Sequence, residues 1–289
     1  MHSFLFALIS YLGWGVGDVF GTIATRKLDA YSTTFWRLLV ALLLFSAFVP
    51  FILSELGGLS WQVFLLNIIL SVVGIIGLVA FYEGLKVGNA AVVGTVAASF
   101  AAVAVLFSVL FLDEIITSEQ LGAISLIFLG VILSGLNLGE LKRNSRRVFN
   151  KGTGFALIAM FFWGIYFTFI KIPVQEIGWF FPAFISLFFA IPVLLVFMRI
   201  RKLPLRTPRS LSLVSTVFLN GILLTVAEFS YNFAISKGLT ALIIPIAGSY
   251  PTLFVLLAAL VFKDPITKQQ IAGITVTLLG IILLSILIA

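Results

Sequence analysis

Phe6-Ala7-Leu8-Ile9 followed by Trp14-Gly15 returns as Phe155-Ala156-Leu157-Ile158 followed by Trp163-Gly164, an offset of 149 residues (155 against 6). Further along the offset becomes 150 and persists to the C-terminus. Lys86-Val87-Gly88 falls on Ser236-Lys237-Gly238, Ser99-Phe100 on Ser249-Tyr250, Glu114 on Asp264, Gln120 on Gln270 and Gly130 on Gly280. A match sustained at one period across both halves marks one ancestral unit that was duplicated and fused. The halves are residues 1–138 and 151–289, joined by a linker over 139–150. In a membrane protein, such halves meet around a central substrate site.

Composition places the chain in a membrane. Hydrophobic residues make up 61% of its 289 residues and charged residues 10%, and mean hydropathy is +1.22. A soluble fold of this size cannot hide that much apolar surface. Apolar runs of about 20 residues match a hydrocarbon core of roughly 30 Å when helical. Ten are read, near 3–24, 31–53, 61–85, 90–112, 119–138, 153–174, 180–199, 211–235, 240–262 and 269–288. They are continuously apolar, with no alternation of period two, which excludes a β-barrel. The expected fold is an all-α integral membrane protein of ten transmembrane helices. Met1-His2-Ser3 supplies no Lys or Arg and the first apolar run continues to Ala24, too long for a signal peptide, so it is read as a span.

The basic residues orient the chain. Loops after the first, third, fifth, seventh and ninth spans hold Arg26 and Lys27, Lys86, then Lys142, Arg143, Arg146, Arg147 and Lys151, then Arg199, Arg201, Lys202, Arg206 and Arg209, then Lys263 and Lys268. The other side holds only Lys171 and Lys237, and Arg37 lies within a span. The basic side is therefore read as cytoplasmic and both termini as external, in a cytoplasmic membrane. Five spans per half is an odd number, so the halves are inverted repeats. The charges agree: the loop at Ser54 to Ser60 has no Lys or Arg, whereas its equivalent at Arg199 to Arg209 has five. The net charge of +7 sits in short loops without a soluble domain, so nucleic acid is not an expected partner.

Charged and aromatic side chains within spans mark candidate sites. Tyr11, Trp14, Gly15, Asp18 and Thr22 share one helical face. Their repeat equivalents are Met160, Trp163, Gly164, Phe167 and Lys171. Glu228, Tyr231, Asn232 and Ile235 share another face, and Phe81, Tyr82 and Leu85 a third. At about 1.5 Å per residue, depth suggests two ion pairs, Asp18–Arg37 near the cytoplasmic boundary and Glu228–Lys171 near the outer one. Asp113, Glu114 and Asp264 are read as caps for the helices that follow them, and Glu83 and Lys86 as solvated boundary groups. Pro245 and Tyr250-Pro251 suggest a bend lining the substrate path. Small residues such as Gly94, Ala97 and Ala98 place the fourth span at the bundle centre. The fifth and tenth spans are expected at the periphery.

These features together resemble the drug/metabolite transporter superfamily, in its ten-helix EamA-like branch. The carriers are Trp14-Gly15 and Trp163-Gly164, Trp36-Arg37-Leu38-Leu39, and Phe111-Leu112-Asp113-Glu114-Ile115 leading to Gln120-Leu121-Gly122 and Gly130-Val131. The second half answers with Phe262-Lys263-Asp264-Pro265, Gln270 and Gly280; Asp264 opposite Glu114 and Ser186 opposite Arg37 depart from strict repetition. The resemblance covers nearly the whole chain and implies a secondary carrier of small metabolites. It implies a cavity lined by the first, third, fourth, sixth, eighth and ninth spans, with alternating access by rocking of the halves.

The expected function is secondary transport of a small organic metabolite, as an exporter of amino acids or related amphipathic solutes. Trp14, Tyr82, Trp163, Tyr231 and Tyr250 would supply aromatic walls, and Asp18, Ser99, Glu228 and Asn232 polar contacts. Arg37 and Lys171 join Asp18 and Glu228 as gating or ion-pair residues. Proton coupling through Asp18 or Glu228 and facilitated exchange both stay open. Alternatives are a sugar or nucleoside uptake carrier of the same fold and a non-transporting scaffold subunit. No catalytic residue, metal or cofactor is expected: cysteine is absent, the single histidine is His2, and no HExxH, GxSxG or Walker motif occurs. The partners expected are the small-molecule substrate and the lipid bilayer, with the chain a monomer or weak homo-oligomer.

Overall fold

A computed structural model describes residues 2–88, 90–135, 151–263 and 266–288. The described residues form helices and connecting turns, with no strand. In chain order the helices of the first half are α1 (His2–Lys27), α2 (Ala30–Ser46), α3 (Val49–Ile52), α4 (Trp61–Val87), α5 (Ala90–Ala98), α6 (Phe100–Phe111) and α7 (Ser118–Gly135). Those of the second are α8 (Lys151–Phe169), α9 (Lys171–Ile177), α10 (Phe180–Ile200), α11 (Leu211–Lys237), α12 (Thr240–Gly248), α13 (Pro251–Phe262) and α14 (Lys268–Ile288).

Nine stretches among the described residues are long and apolar enough to cross a membrane, and α2 is a shorter apolar helix of 17 residues. The second span was expected to run to residue 53. It ends at Ser46 because Pro50 has no amide to continue the ladder to the Ser46 carbonyl. Ahead of it the turn tightens, with Ala47 N–H donating to Leu44 O at 3.3 Å and Phe48 N–H to Phe45 O at 3.0 Å. The outward surfaces are apolar, with exposed Leu43, Phe188, Val196, Leu260 and Ile282. Such a surface is stable against lipid, not water.

Local chemistry repeats with the halves. Ser60 caps α4 by accepting from Val63 N–H, and Ser210, its equivalent, caps α11 by accepting from Leu213 N–H. Thr117 and Gln120 exchange hydrogen bonds ahead of α7, as Thr267 and Gln270 do ahead of α14. These are capping boxes, which satisfy orphan amides at a helix start. Three spans are broken. α5 passes into α6 at Ser99 and α12 into α13 at Ser249-Tyr250, which are repeat equivalents, and α8 passes into α9 at Ile170. Pro251 opens α13 and Pro245 lies inside α12, so the bend expected there is a break in the span.

Packing exchanges the halves. α1 lies on α11 and α4 on α8, each pair joining the first span of one half to the third span of the other, and α7 lies on α14. Glycine permits the closest approaches. A Cβ on Gly130 would meet Thr277 Oγ1 at 2.3 Å and Gly273 O at 2.6 Å, and one on Gly13 would meet Leu223 O at 2.9 Å. A large buried cluster gathers Tyr11, Trp14, Phe100, Tyr231 and Ile244 at the junction of the halves. A second cluster, around Tyr31, Phe180, Leu194 and Phe229, fastens α2, α10 and α11.

Candidate functional site

Between the halves lies a cavity of about 620 Å³. α1 contributes Trp14, Asp18 and Thr22 to it, α2 contributes Thr33, Thr34 and Arg37, and α4 contributes Ser71, Phe81 and Tyr82. Gly94, Ala97 and Ala98 of α5 give a smooth wall because they carry almost no side chain. The second half adds Trp163 and Tyr166 from α8, Ser186 from α10, Asn220, Thr225 and Glu228 from α11, and Tyr250 with Pro251 at the break into α13. The lining continues to Thr25 and Arg26 at the end of α1 and to Leu85 near the end of α4. The cavity therefore extends toward the face that carries the basic loops.

Aromatic rings close its other end. Trp14 stands 5.4 Å from Phe167, 5.9 Å from Tyr231 and 5.7 Å from Tyr250, centroid to centroid, and Phe100 stacks on Phe167 at 4.9 Å. Edge-on and offset contacts of this kind are favoured by the ring quadrupoles. Tyr231 is fully buried, and its hydroxyl donates to Phe167 O at 2.6 Å. Trp163 N–H donates to Gly74 O at 3.2 Å, which leaves its ring as a wall. Trp163 and Tyr231 are thus pinned by hydrogen bonds, and Trp14 and Tyr250 are held by ring contacts.

Charge is concentrated in the cavity and is not fully paired. Asp18, Arg37 and Glu228 all line it. The Arg37 guanidinium acts electrostatically on both carboxylates. Among the described residues no ion pair within 4.0 Å and no hydrogen bond holds Arg37 or the Asp18 side chain. Glu228 Oε1 accepts from the Tyr166 hydroxyl at 2.6 Å. Tyr82 and Thr34 share a hydroxyl contact of 2.9 Å, and Asn220 donates to Gly17 O at 2.8 Å. Thr33 Oγ1, Asn220 Oδ1 and Thr225 Oγ1 have no hydrogen-bond partner among the described residues. Groups left this way in an apolar bundle cost free energy unless a bound solute or water meets them.

Of the residues named from sequence, Trp14, Asp18, Arg37, Tyr82, Trp163, Glu228 and Tyr250 line the cavity. Tyr231 stands behind the wall and touches Trp14. Asn232 lies away from it and donates to Trp179 O at 3.3 Å, and Ser99 turns back to Thr95 O at 3.0 Å. The expected pairing of Lys171 with Glu228 is not formed. Lys171 Nζ bonds Glu114 Oε1 at 2.6 Å and Gly238 O, at the end of α11, at 3.0 Å; Gly238 lies ten residues beyond Glu228, about 15 Å along the helix, and Tyr166 takes Glu228. Asp18 and Arg37 face one cavity without closing into an ion pair. Glu114 does not cap α7, the next helix: its carboxylate accepts from the Thr240 and Ala241 amides that open α12, in the other half. Asp264 lies outside the described residues. Glu83 is more than a solvated boundary group: it accepts from the Tyr31 hydroxyl and from Lys86 Nζ at 2.8 Å, and its side chain is 15% exposed.

The second and seventh spans also line the cavity, through Thr33, Thr34, Arg37 and Ser186, beyond the six spans expected. Tyr166, Asn220 and Thr225 were not named from sequence. The signal for Asn220 was present: Asn220, Leu224 and Glu228 follow at i, i+4 and i+8 and share a face.

Known proteins agree with this architecture. A solved crystal structure superposes on 99% of this chain and 97% of its own with a TM-score of 0.79 at 16% sequence identity, a likeness of fold alone. An uncharacterised protein of Methanocaldococcus jannaschii is 28% identical over 74 residues, 26% of this chain and 54% of that protein. The chain thus spans about half the length of that curated relative. The model of the EamA-like transporter family matches twice, over residues 1–136 and again over 150–286. With both halves of the helical bundle matched, the chain belongs to the EamA-like transporter family, whose members are membrane transporters of the drug/metabolite type.

Proposed function

We propose that this protein is a secondary transporter that exports a small amphipathic solute of the amino-acid class by alternating access between its halves. One observation carries the reading: Arg37, held by no hydrogen bond or ion pair among the described residues, shares a cavity of about 620 Å³ with two carboxylates and an aromatic floor. A zwitterion complements that arrangement. Its carboxylate would meet the planar fork of the guanidinium. Its ammonium would meet Asp18, whose side chain is uncommitted. An apolar or aromatic side chain would rest on Trp14, Trp163 and Tyr250. Glu228, tied by Tyr166, would set the field on the side of α11.

Export is the direction proposed because the cavity lining reaches Thr25, Arg26 and Leu85 near the arginine- and lysine-rich face, the cytoplasmic side by the charge rule, from which solute would load. Rocking of one half against the other would close that face and part the aromatic floor. Volume supports a solute of amino-acid size, since ligand pockets run to about 300–1,000 Å³. The test is efflux from proteoliposomes loaded with a panel of amino acids, amines and organic acids, with and without a pH gradient. Zwitterions with apolar side chains should move and simple amines should not; no flux for any solute would end the transporter reading, and flux of amines alone would end the zwitterion reading.

A further inference from the structure

On the face opposite the basic loops, a buried contact joins the two halves. Glu114 lies beyond the end of α6 and is 5% exposed. Its carboxylate accepts from Lys171 Nζ at 2.6 Å, Thr240 N–H at 2.8 Å and Ala241 N–H at 2.7 Å. Lys171 also donates to Gly238 O at 3.0 Å. One carboxylate from the first half thus holds α9 and the start of α12 of the second. A shallow hollow lined by Asp113, Ile115, Lys171, Gln175 and Leu239 lies over it. Tyr231 and the aromatic floor lie on its cavity side.

We infer that Glu114 and Lys171 form the latch of the outer gate. They are positioning residues that hold the outer face shut while the cavity is open to the basic face, and they separate once in each transport cycle. The inference rests on the transport reading above. Charge is what lets this contact act as a latch. Buried between the halves, the pair is held by several charge-assisted bonds. Once the halves part, water from the hollow can solvate both ions, so closed and open arrangements each satisfy them, while an intermediate satisfies neither. That gives two discrete states.

The inverted equivalent of Lys171 is Thr22, an uncharged residue of the cavity wall whose hydroxyl donates to Asp18 O at 2.8 Å. Arg26, one turn further along α1, lies over the Phe262 ring at 4.4 Å, so a cation on the basic face stands on an aromatic ring. Lys171 thus has no charged counterpart at its own repeat position, and its contact with Glu114 holds the outer face closed while the cavity faces the basic side.

The chain has no cysteine, so a single reporter thiol reads the gate without background and without any substrate. Ile235 is 1% exposed on α11, one turn beyond Tyr231 toward the outer face. In the Ile235→Cys background, a membrane-impermeant maleimide applied from the outer face should label slowly. Adding Lys171→Met should speed labelling at least tenfold, and Lys171→Arg should return it toward the parent rate. If Lys171→Met fails to fold, Glu114→Gln should give the same acceleration, because it removes the charge while keeping an acceptor for the amides. Labelling unchanged by the folded charge-removing variant, or a Lys171→Arg rate equal to that of Lys171→Met, would overturn the latch. Absence of solute flux in the unmutated protein would instead overturn the transport reading and leave this measurement standing.

Discussion

Two regions of the bundle bury charge, and they treat it in opposite ways. At the outer face the Glu114 carboxylate has three donors and Lys171 has two acceptors. In the cavity Arg37 and the Asp18 carboxylate have no hydrogen-bond partner among the described residues, although Arg37 lies within electrostatic reach of two carboxylates. A buried charge with its partners in place can serve structure. One without them is costly, and is retained where something else completes it. The cross-half ion pairs on the two faces differ in the same sense. Arg201–Glu83 and Arg206–Asp29 on the basic face are loose, at 3.8 Å each, with exposed arginines, whereas Lys171–Glu114 is tight and buried.

Substitutions can break that contrast. The largest effect should come from Arg37→Gln. Transport should fall by about 100-fold or more, as expected when a buried charged partner worth 2–5 kcal/mol is lost, while the midpoint of thermal unfolding in detergent holds or rises. A large loss of stability would show that Arg37 serves the fold as Lys171 does. Trp14→Ala should come next. It removes the ring shared by Phe167, Tyr231 and Tyr250, and a well-packed aromatic costs about 3–5 kcal/mol when truncated. Solute affinity and thermal stability should both drop.

Smaller changes sharpen the separation between frame and cavity. Gly130→Ala forces a methyl into the backbone of α14 and should destabilise by about 1–3 kcal/mol. Gly122→Ala, on the same helix with nothing within 4 Å, should be neutral or stabilise by up to about 1 kcal/mol; unfolding curves of the pair check this. Tyr231→Phe removes only the hydroxyl bonded to Phe167 O and should cost about 1 kcal/mol without altering which solutes are carried.

The fold was largely legible in the sequence. Span length and hydropathy follow directly from bilayer thickness, and the repeat and the basic loops carry the architecture. The end of α2 was readable too, since Pro50 dictates it. Depth was harder. Counting along the helices put Lys171 and Glu228 at similar heights, but Lys171 reaches Gly238 O, ten residues and about 15 Å beyond Glu228, and so meets Glu114 instead. Glu114 misled for a related reason. An acidic residue just ahead of a helix reads as its cap, but Thr117 and Gln120 already perform that service for α7, which frees Glu114 for a helix more than a hundred residues away. Asn232 and Ser99 share sequence faces with cavity residues yet lie outside the wall, because only packing decides which part of a face is open.

Arg37, unpaired among the described residues, is proposed to receive the carboxylate of a zwitterion. Calorimetric binding of one transported amino acid and of its carboxamide, to the purified protein and to Arg37→Gln, tests this. The unmutated protein should prefer the acid by about 10- to 100-fold, in line with the roughly 1.5–3 kcal/mol of a charge-assisted hydrogen bond, and Arg37→Gln should bind acid and amide alike. Full retention of acid preference in Arg37→Gln would overturn the role of Arg37.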